Sequence, residues 1–189
     1  MDLFLSDYPL TPDSVVMDVG GYHGLWTELT IERKGFSPNV YVFEPVPDWY
    51  ADIKNKFNGN SKIQVFNFGL AGADRKDTFE INRDSTGAWA RSSDGASVDV
   101  SIRDIAGVLK ELGLEKVDLI TINCEGGEYA ILERLLTTGT ISDFKYVQVQ
   151  YHNLFSESSD KRDWIRQALS ATHREKYNIP WTWESWERK

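Results

Sequence analysis

The feature that most constrains this chain is the alternation of short β-branched runs with longer amphipathic stretches. "SVVMDV" (14–19) precedes "WTELTIERKG" (26–35), "VYVFEP" (40–45) precedes "DWYADIKNKF" (48–57), and "KIQVFNFGL" (62–70) follows. Apolar strands with helical crossovers between them read as a parallel sheet covered by helices on both faces. The pattern resumes with helix "IRDIAGVLKELG", strand "VDLITIN", helix "GEYAILERLLTTG", strand "FKYVQVQYH" and helix "DKRDWIRQALSATH". Five parallel strands are thus predicted. Between the halves, residues 77–100 carry "DTFEINR" and "VDVSI" around a Gly/Ser/Asp-rich stretch, which predicts an antiparallel β-ribbon insertion. At 189 residues the expectation is one domain, 1–189, of the doubly wound α/β class. The tail 174–189 holds Trp181, Trp183 and Trp186, and reads either as a last strand or as a lid over the sheet.

Charge and composition exclude several functions. A net charge of −8, with no basic run, argues against nucleic acid as a partner, because that binding is driven by Lys and Arg displacing counterions. The N-terminus "MDLFLSDYPLTPD" lacks the basic start and apolar stretch of a signal peptide, and no run of about 18 apolar residues exists to span a membrane. A cytoplasmic protein without membrane contact is expected. The single cysteine, Cys124, cannot form an internal disulfide.

Ligands of open α/β sheets bind at the carboxyl ends of strands, which is where "DVGGYHG" (18–24) falls. Gly20 and Gly21 let the turn pass close to a ligand, and Gly24 lets the next helix pack tightly; a turn that uses glycine only for its own geometry is the bland alternative. A dinucleotide fingerprint would need Gly where Tyr22 and Leu25 stand, and Asp18 would oppose a pyrophosphate. No Gly-Lys-Ser/Thr follows to make a Walker A loop. A ligand with an adenosine, a positive centre and no phosphate fits better. S-adenosylmethionine (SAM) is such a molecule, and Glu44, ending "VYVFE", stands where a carboxylate accepts from ribose hydroxyls.

"VVMDVGGYHGLWT", "YVFEPVP", "DLITINCEGGEYAIL" and "VQVQYHN", in this order over residues 15–153, resemble the FkbM family of SAM-dependent methyltransferases, a branch with a Rossmann-like fold. The resemblance implies that Asp18, Gly20 and Gly24 frame the methionine part of SAM, with Gly21 in the same turn. It implies that Glu44 holds the ribose and that Phe68, Gly69 and Leu70 lie by the adenine. The chain departs from the family at its fourth strand, where Lys-Ile-Asp-Val-Glu-Gly is usual and Thr121-Ile122-Asn123-Cys124-Glu125-Gly126 stands. Asn123 can still offer a donor and an acceptor to SAM or to the acceptor.

A hydroxyl acceptor must lose a proton during methyl transfer. His152, just past the fifth strand, is the first candidate for general base, with a hydrogen-bonded strand-end histidine as the alternative. Glu125 is expected to face the pocket and assist His152, whereas it and Glu128 could equally be helix-entry acids favoured by the dipole. No metal is called for, since one carboxylate near His152 is too few for a hard cation. His23 should line the cofactor site or face solvent, His173 should lie on the surface at a helix end, and Cys124 should point into the core. The segment 84–95 and the tail tryptophans are candidate parts for recognising a small hydroxylated acceptor, a sugar or secondary metabolite. The rival expectation is a non-catalytic protein that binds a partner through those same parts.

Overall fold

The computed structural model describes residues 8–82, 85–87 and 96–189. Five parallel strands make up most of the main sheet, out to its edge at β3: β1 (Val15–Val19), β2 (Asn39–Phe43), β3 (Ile63–Phe66), β8 (Val117–Ile122) and β9 (Phe144–Val149). Antiparallel β10 (His173–Ile179) and β11 (Trp183–Arg188) extend it, giving the order β10-β11-β9-β8-β1-β2-β3. The order reverses direction at β1, so the carboxyl ends of β1 and β8 border the crevice where such folds place ligands.

Side-chain alternation divides the core into two layers. Met17, Val19, Ile120, Ile122, Val147 and Val149 pack on the face covered by α3 (Ile105–Leu112), α4 (Glu128–Thr137) and α5 (Ser158–Leu169). Val16, Val40, Val42 and Leu119 pack on the other face, with Ile53 of α2 (Pro47–Lys56) and Trp26 of α1 (Leu25–Lys34). Helices thus cover both faces of a mostly parallel sheet, as the sequence predicts.

The insertion is larger than a ribbon. β5 (Arg75–Asn82) and β7 (Ala96–Asp104) pair antiparallel, β6 (Ser85–Gly87) joins β5, and β4 (Gly69–Ala71) pairs parallel with β7, making a second, four-stranded sheet. The run 62–70 is therefore two strands in two sheets, not one. Residues 102–104 belong to β7 rather than to a helix, because Asp104 caps α3 by accepting from the Ala106 N–H at 3.2 Å. Most of the predicted recognition segment 84–95 lies outside the described residues.

The tail forms strands and not a lid. Trp183 and Trp186 are buried in β11, and Trp186 carries the Arg166 guanidinium 5.3 Å from its ring. His173 is a correction: instead of a surface helix end it begins β10, buried, with Nε2–H donating to the Phe144 carbonyl at 3.0 Å and Nδ1 2.8 Å from the Thr172 hydroxyl. Burial lowers its pKa from the ordinary histidine value.

Candidate active site

The glycine turn after β1 is built against its neighbours. Gly20 and Gly21 both donate to the Phe43 carbonyl, at 3.0 and 3.2 Å. Gly20 has φ of 86°, and a Cβ there would lie 2.0 Å from the Asn123 carbonyl oxygen. A Cβ on Gly21 would lie 2.4 Å from Val42 Cγ1, and Gly24, at φ 75°, begins α1 against the Phe57 ring. The bare backbone lets β1, β2 and β8 converge at one point.

Two carboxylates stand at that point. Asp18 is 3% exposed and accepts from the Thr27 hydroxyl at 2.7 Å; burial raises its pKa to about 6, against the lowering effect of that bond. Glu44, also 3% exposed, accepts from the backbone N–H of Tyr22 through Oε2 and of Val46 through Oε1, each at 2.8 Å. Burial outweighs these two bonds and, with the neighbouring Asp18 charge, pushes its pKa up to about 7. Tyr22 adopts φ of 51°, a left-handed conformation uncommon for a residue with a side chain, and its N–H thereby reaches Glu44.

Two cavities flank the ridge made by Gly20. One, of about 300 Å³, has Asp18, Thr121, Asn123 and Gln150 beside the apolar walls of Leu25 and Trp183. The other, of about 260 Å³, lies between the sheets and is lined by Pro45, Gly69 and Leu70 together with Cys124, Glu125 and Tyr129.

Beside the second cavity is an acid–imidazole–acid array. The Glu128 side chain is 0% exposed; Oε1 accepts the His152 backbone N–H at 2.8 Å and lies 3.2 Å from His152 Nδ1, while Oε2 accepts the Gly126 N–H at 2.8 Å. This fixes the imidazole with Nδ1–H toward Glu128 and leaves Nε2 facing Glu125, 3.7 Å from its Oε1. Burial opposes a charged imidazole, but the Glu128 hydrogen bond and the charges of Glu128 and Glu125 outweigh it and raise the pKa of His152 above the ordinary value. Glu125, at φ 48°, is half-buried and its pKa is also raised, mainly by desolvation.

A profile described as the methyltransferase FkbM domain matches residues 18–176. The chain belongs to the FkbM methyltransferase family. Among solved structures it resembles the FkbM methyltransferase from Methylobacillus flagellatus KT (16% identity, TM-score 0.65), covering 98% of this chain and 47% of that one. It also resembles Streptococcus pneumoniae Sp1610, a putative tRNA (m1A22) methyltransferase in complex with SAM (14% identity, TM-score 0.55), covering 99% and 71%. These likenesses show the Rossmann-like methyltransferase fold. Among curated proteins it is 36% identical over 75 residues to the AMB antimetabolite synthetase AmbE of Pseudomonas aeruginosa, a match spanning 37% of this chain and 3% of that protein. The chain therefore spans under half the length of both the M. flagellatus protein and AmbE.

The residues of this FkbM protein fit SAM. The cavity between the sheets offers Pro45 and Leu70 as apolar walls for an adenine, Glu44 is adjacent in sequence to that wall, and Asp18 and Asn123 stand across the Gly20 ridge with carboxylate and amide groups for an amino-acid end. Gly69 and Leu70 line the first of these spaces; Phe68 instead packs on Phe43 and Phe66, with the Arg103 guanidinium 4.9 Å from its ring. Cys124 is partly buried, packing against the core as expected while also lining this cavity, and burial drives its thiol pKa well up. His23 is on the outside, paired with Asp52 at 3.1 Å. Of the three tail tryptophans, Trp183 reaches a cavity wall, Trp181 lies under Arg162 at 5.1 Å, and Trp186 is in the core.

In the sequence Glu128 reads only as a capping acid. An acid three residues beyond Glu125 was a visible signal, but its complete burial and its grip on His152 come from the return of β9 beside α4. In the sequence Tyr22 marks only a departure from the dinucleotide fingerprint, and Gln150 carries no motif at its position.

Proposed function

We propose that the protein transfers the methyl group of SAM to a hydroxyl oxygen of a small acceptor, such as a sugar or secondary metabolite, in the cytoplasm. The observation that carries this reading is the Glu128–His152–Glu125 array beside the cavity at the carboxyl ends of β1 and β8. When bound, SAM supplies a sulfonium methyl whose positive charge is lost as the bond to sulfur breaks. The protein's share of the work is position, water exclusion and the proton. Glu44 accepts from the ribose hydroxyls, and Asp18 and Asn123 face the amino-acid end. His152 Nε2 takes the hydroxyl proton, Glu128 holds Nδ1–H and the ring orientation, and Glu125 stabilises the imidazolium that forms. Phe79, Tyr129 and Phe155 supply apolar walls against water.

Glu44 accepts a diol best as a carboxylate, so SAM affinity should rise between pH 6 and 8 as the group ionises through about 7. His152 must be neutral to act as a base, so methyl transfer should accelerate as pH climbs through its raised pKa. The test is a calorimetric titration with SAM at both pH values, with Glu44→Ala expected to weaken binding by about 1.5–3 kcal/mol while remaining folded by circular dichroism. His152→Ala should keep SAM binding and lose turnover in an acceptor screen. An intact protein that ignores SAM would move the reading to a non-catalytic protein binding a partner.

A further inference from the structure

Apart from the acid–imidazole–acid array, the cavity between the two sheets is lined by two cations. Arg75 opens β5 in the second sheet and Lys161 stands near the start of α5, so residues far apart in the chain meet at one cleft. In a chain of net charge −8, this cavity is lined by two basic side chains, Arg75 and Lys161, against the one carboxylate of Glu125.

Their existing partners are weak ones. Arg75 Nε lies 3.2 Å from Asp77 with its side chain 46% exposed, and Lys161 Nζ lies 2.9 Å from Glu133 with its side chain 42% exposed. Such surface pairs contribute about 0–1 kcal/mol, so an anionic ligand can displace or share them. Among the described residues, Arg75 is bonded only through Nε, to Asp77, which leaves its two terminal nitrogens to form the fork that binds carboxylate and phosphate with two parallel hydrogen bonds.

We infer that the methyl acceptor carries an anionic group, a carboxylate or a phosphate, that Arg75 and Lys161 bind while its hydroxyl faces His152. The inference rests on the methyl-transfer reading above. Phe79 and Phe155 flank the space between and hold the body of the acceptor. Glu125 lines the same cavity beside His152 and repels an anion placed next to the base, so the cavity attracts the acid at Arg75 and Lys161 and rejects it at His152.

The test uses the whole protein saturated with S-adenosylhomocysteine, and two matched pairs of probes: galacturonate against galactose, and ribose 5-phosphate against ribose. At low ionic strength at least one acid should bind about tenfold or more tightly than its neutral partner, the gain of about 1.4 kcal/mol or more expected of a charge-assisted bond. Which pair responds separates carboxylate from phosphate. The double variant Arg75→Gln/Lys161→Gln should bring that pair to parity and leave S-adenosylhomocysteine affinity unchanged; both side chains are exposed enough to be replaced without unfolding. Equal binding within both pairs would overturn the inference, as would a preference that survives in the double variant. Loss of S-adenosylhomocysteine affinity in that variant would overturn it as well, by assigning the cations to the cofactor's own carboxylate. Failure of the unaltered protein to bind S-adenosylhomocysteine is read before any probe is added and sinks the cofactor reading itself.

Discussion

Glu44 and Glu128 present the same chemical group in nearly the same local setting. Each is a buried carboxylate that accepts two backbone N–H groups, from Tyr22 and Val46 in one case and from Gly126 and His152 in the other. They differ in their third partner. Glu128 has an imidazole, whose pKa is raised in return, whereas among the described residues no cation is paired with Glu44, and its pKa is pushed up to about 7. A buried carboxylate with a cationic partner is already assembled. One without such a partner holds unused acceptor capacity at a free-energy cost, and that capacity is what a diol would use.

The sharpest way to break both halves at once is at the ridge between them. Gly20→Ala places a Cβ 2.0 Å from the Asn123 carbonyl at a φ of 86°. Backbone on both sides would have to move, so a loss of at least about 4 kcal/mol in chemical denaturation is expected, with loss of SAM binding. A mild variant would mean that the turn relaxes independently of β8.

Glu128→Gln attacks the assembled half alone. An amide cannot present two acceptor oxygens, so one of the donors around Glu128 loses its partner, at a cost of about 3 kcal/mol. The more specific readout is the imidazole itself. The chain has three histidines, so His152 can be followed by NMR; its pKa should drop clearly in the variant, and the pH dependence of turnover should shift to lower pH with it. An unmoved His152 would mean that Glu128 only supports the loop.

The unassembled half shows itself through pH. A carboxyl whose folded pKa is raised contributes stability that is fully present below its unfolded pKa and is lost as pH rises through the folded value. For Glu44 that window runs from 4.5 to about 7, and Asp18 acts in the same direction from 3.8 to about 6. Glu44→Ala should therefore cost more stability at pH 5 than at pH 8, by on the order of 2–3 kcal/mol. Measuring the difference between variant and parent removes most of the opposing contribution of His173, whose pKa is lowered. A cost that does not change with pH would contradict the raised pKa and erase the contrast with Glu128.

The same contrast marks how far the sequence was legible. The succession of strands and helices along the chain and the strand-end positions of Asp18, Glu44 and His152 follow from periodicity, because apolar runs and turn glycines are local signals. Pairings over long sequence distance left no such trace. Nothing in "FNFGLAG" announces that the chain changes sheets after Phe66, nor does "SATHRE" say that His173 enters a strand, since β10 is polar at its start and is fixed by pairing with β11. Glu128 reads as a helix-entry acid until β9 brings His152 back beside it.

The smallest expected effect concerns what holds the turn over Glu44. Tyr22 pays for its left-handed backbone with about 1–2 kcal/mol, and its ring recovers part of that against Trp49, where the centroids are 4.5 Å apart in an edge-on pair worth about 0.5–1.5 kcal/mol. Tyr22→Gly removes both contributions and keeps the N–H that Glu44 accepts. Stability should therefore change by less than about 1 kcal/mol, and the pH dependence attributed to Glu44 should persist. Because Glu44 is almost closed to solvent, a ribose can reach it only if this turn yields, so the glycine variant should bind SAM at least as fast as the parent in stopped-flow measurements. Slower binding, or a stability loss above about 2 kcal/mol, would assign the turn's geometry to the Tyr22–Trp49 contact and make the ring part of the clamp.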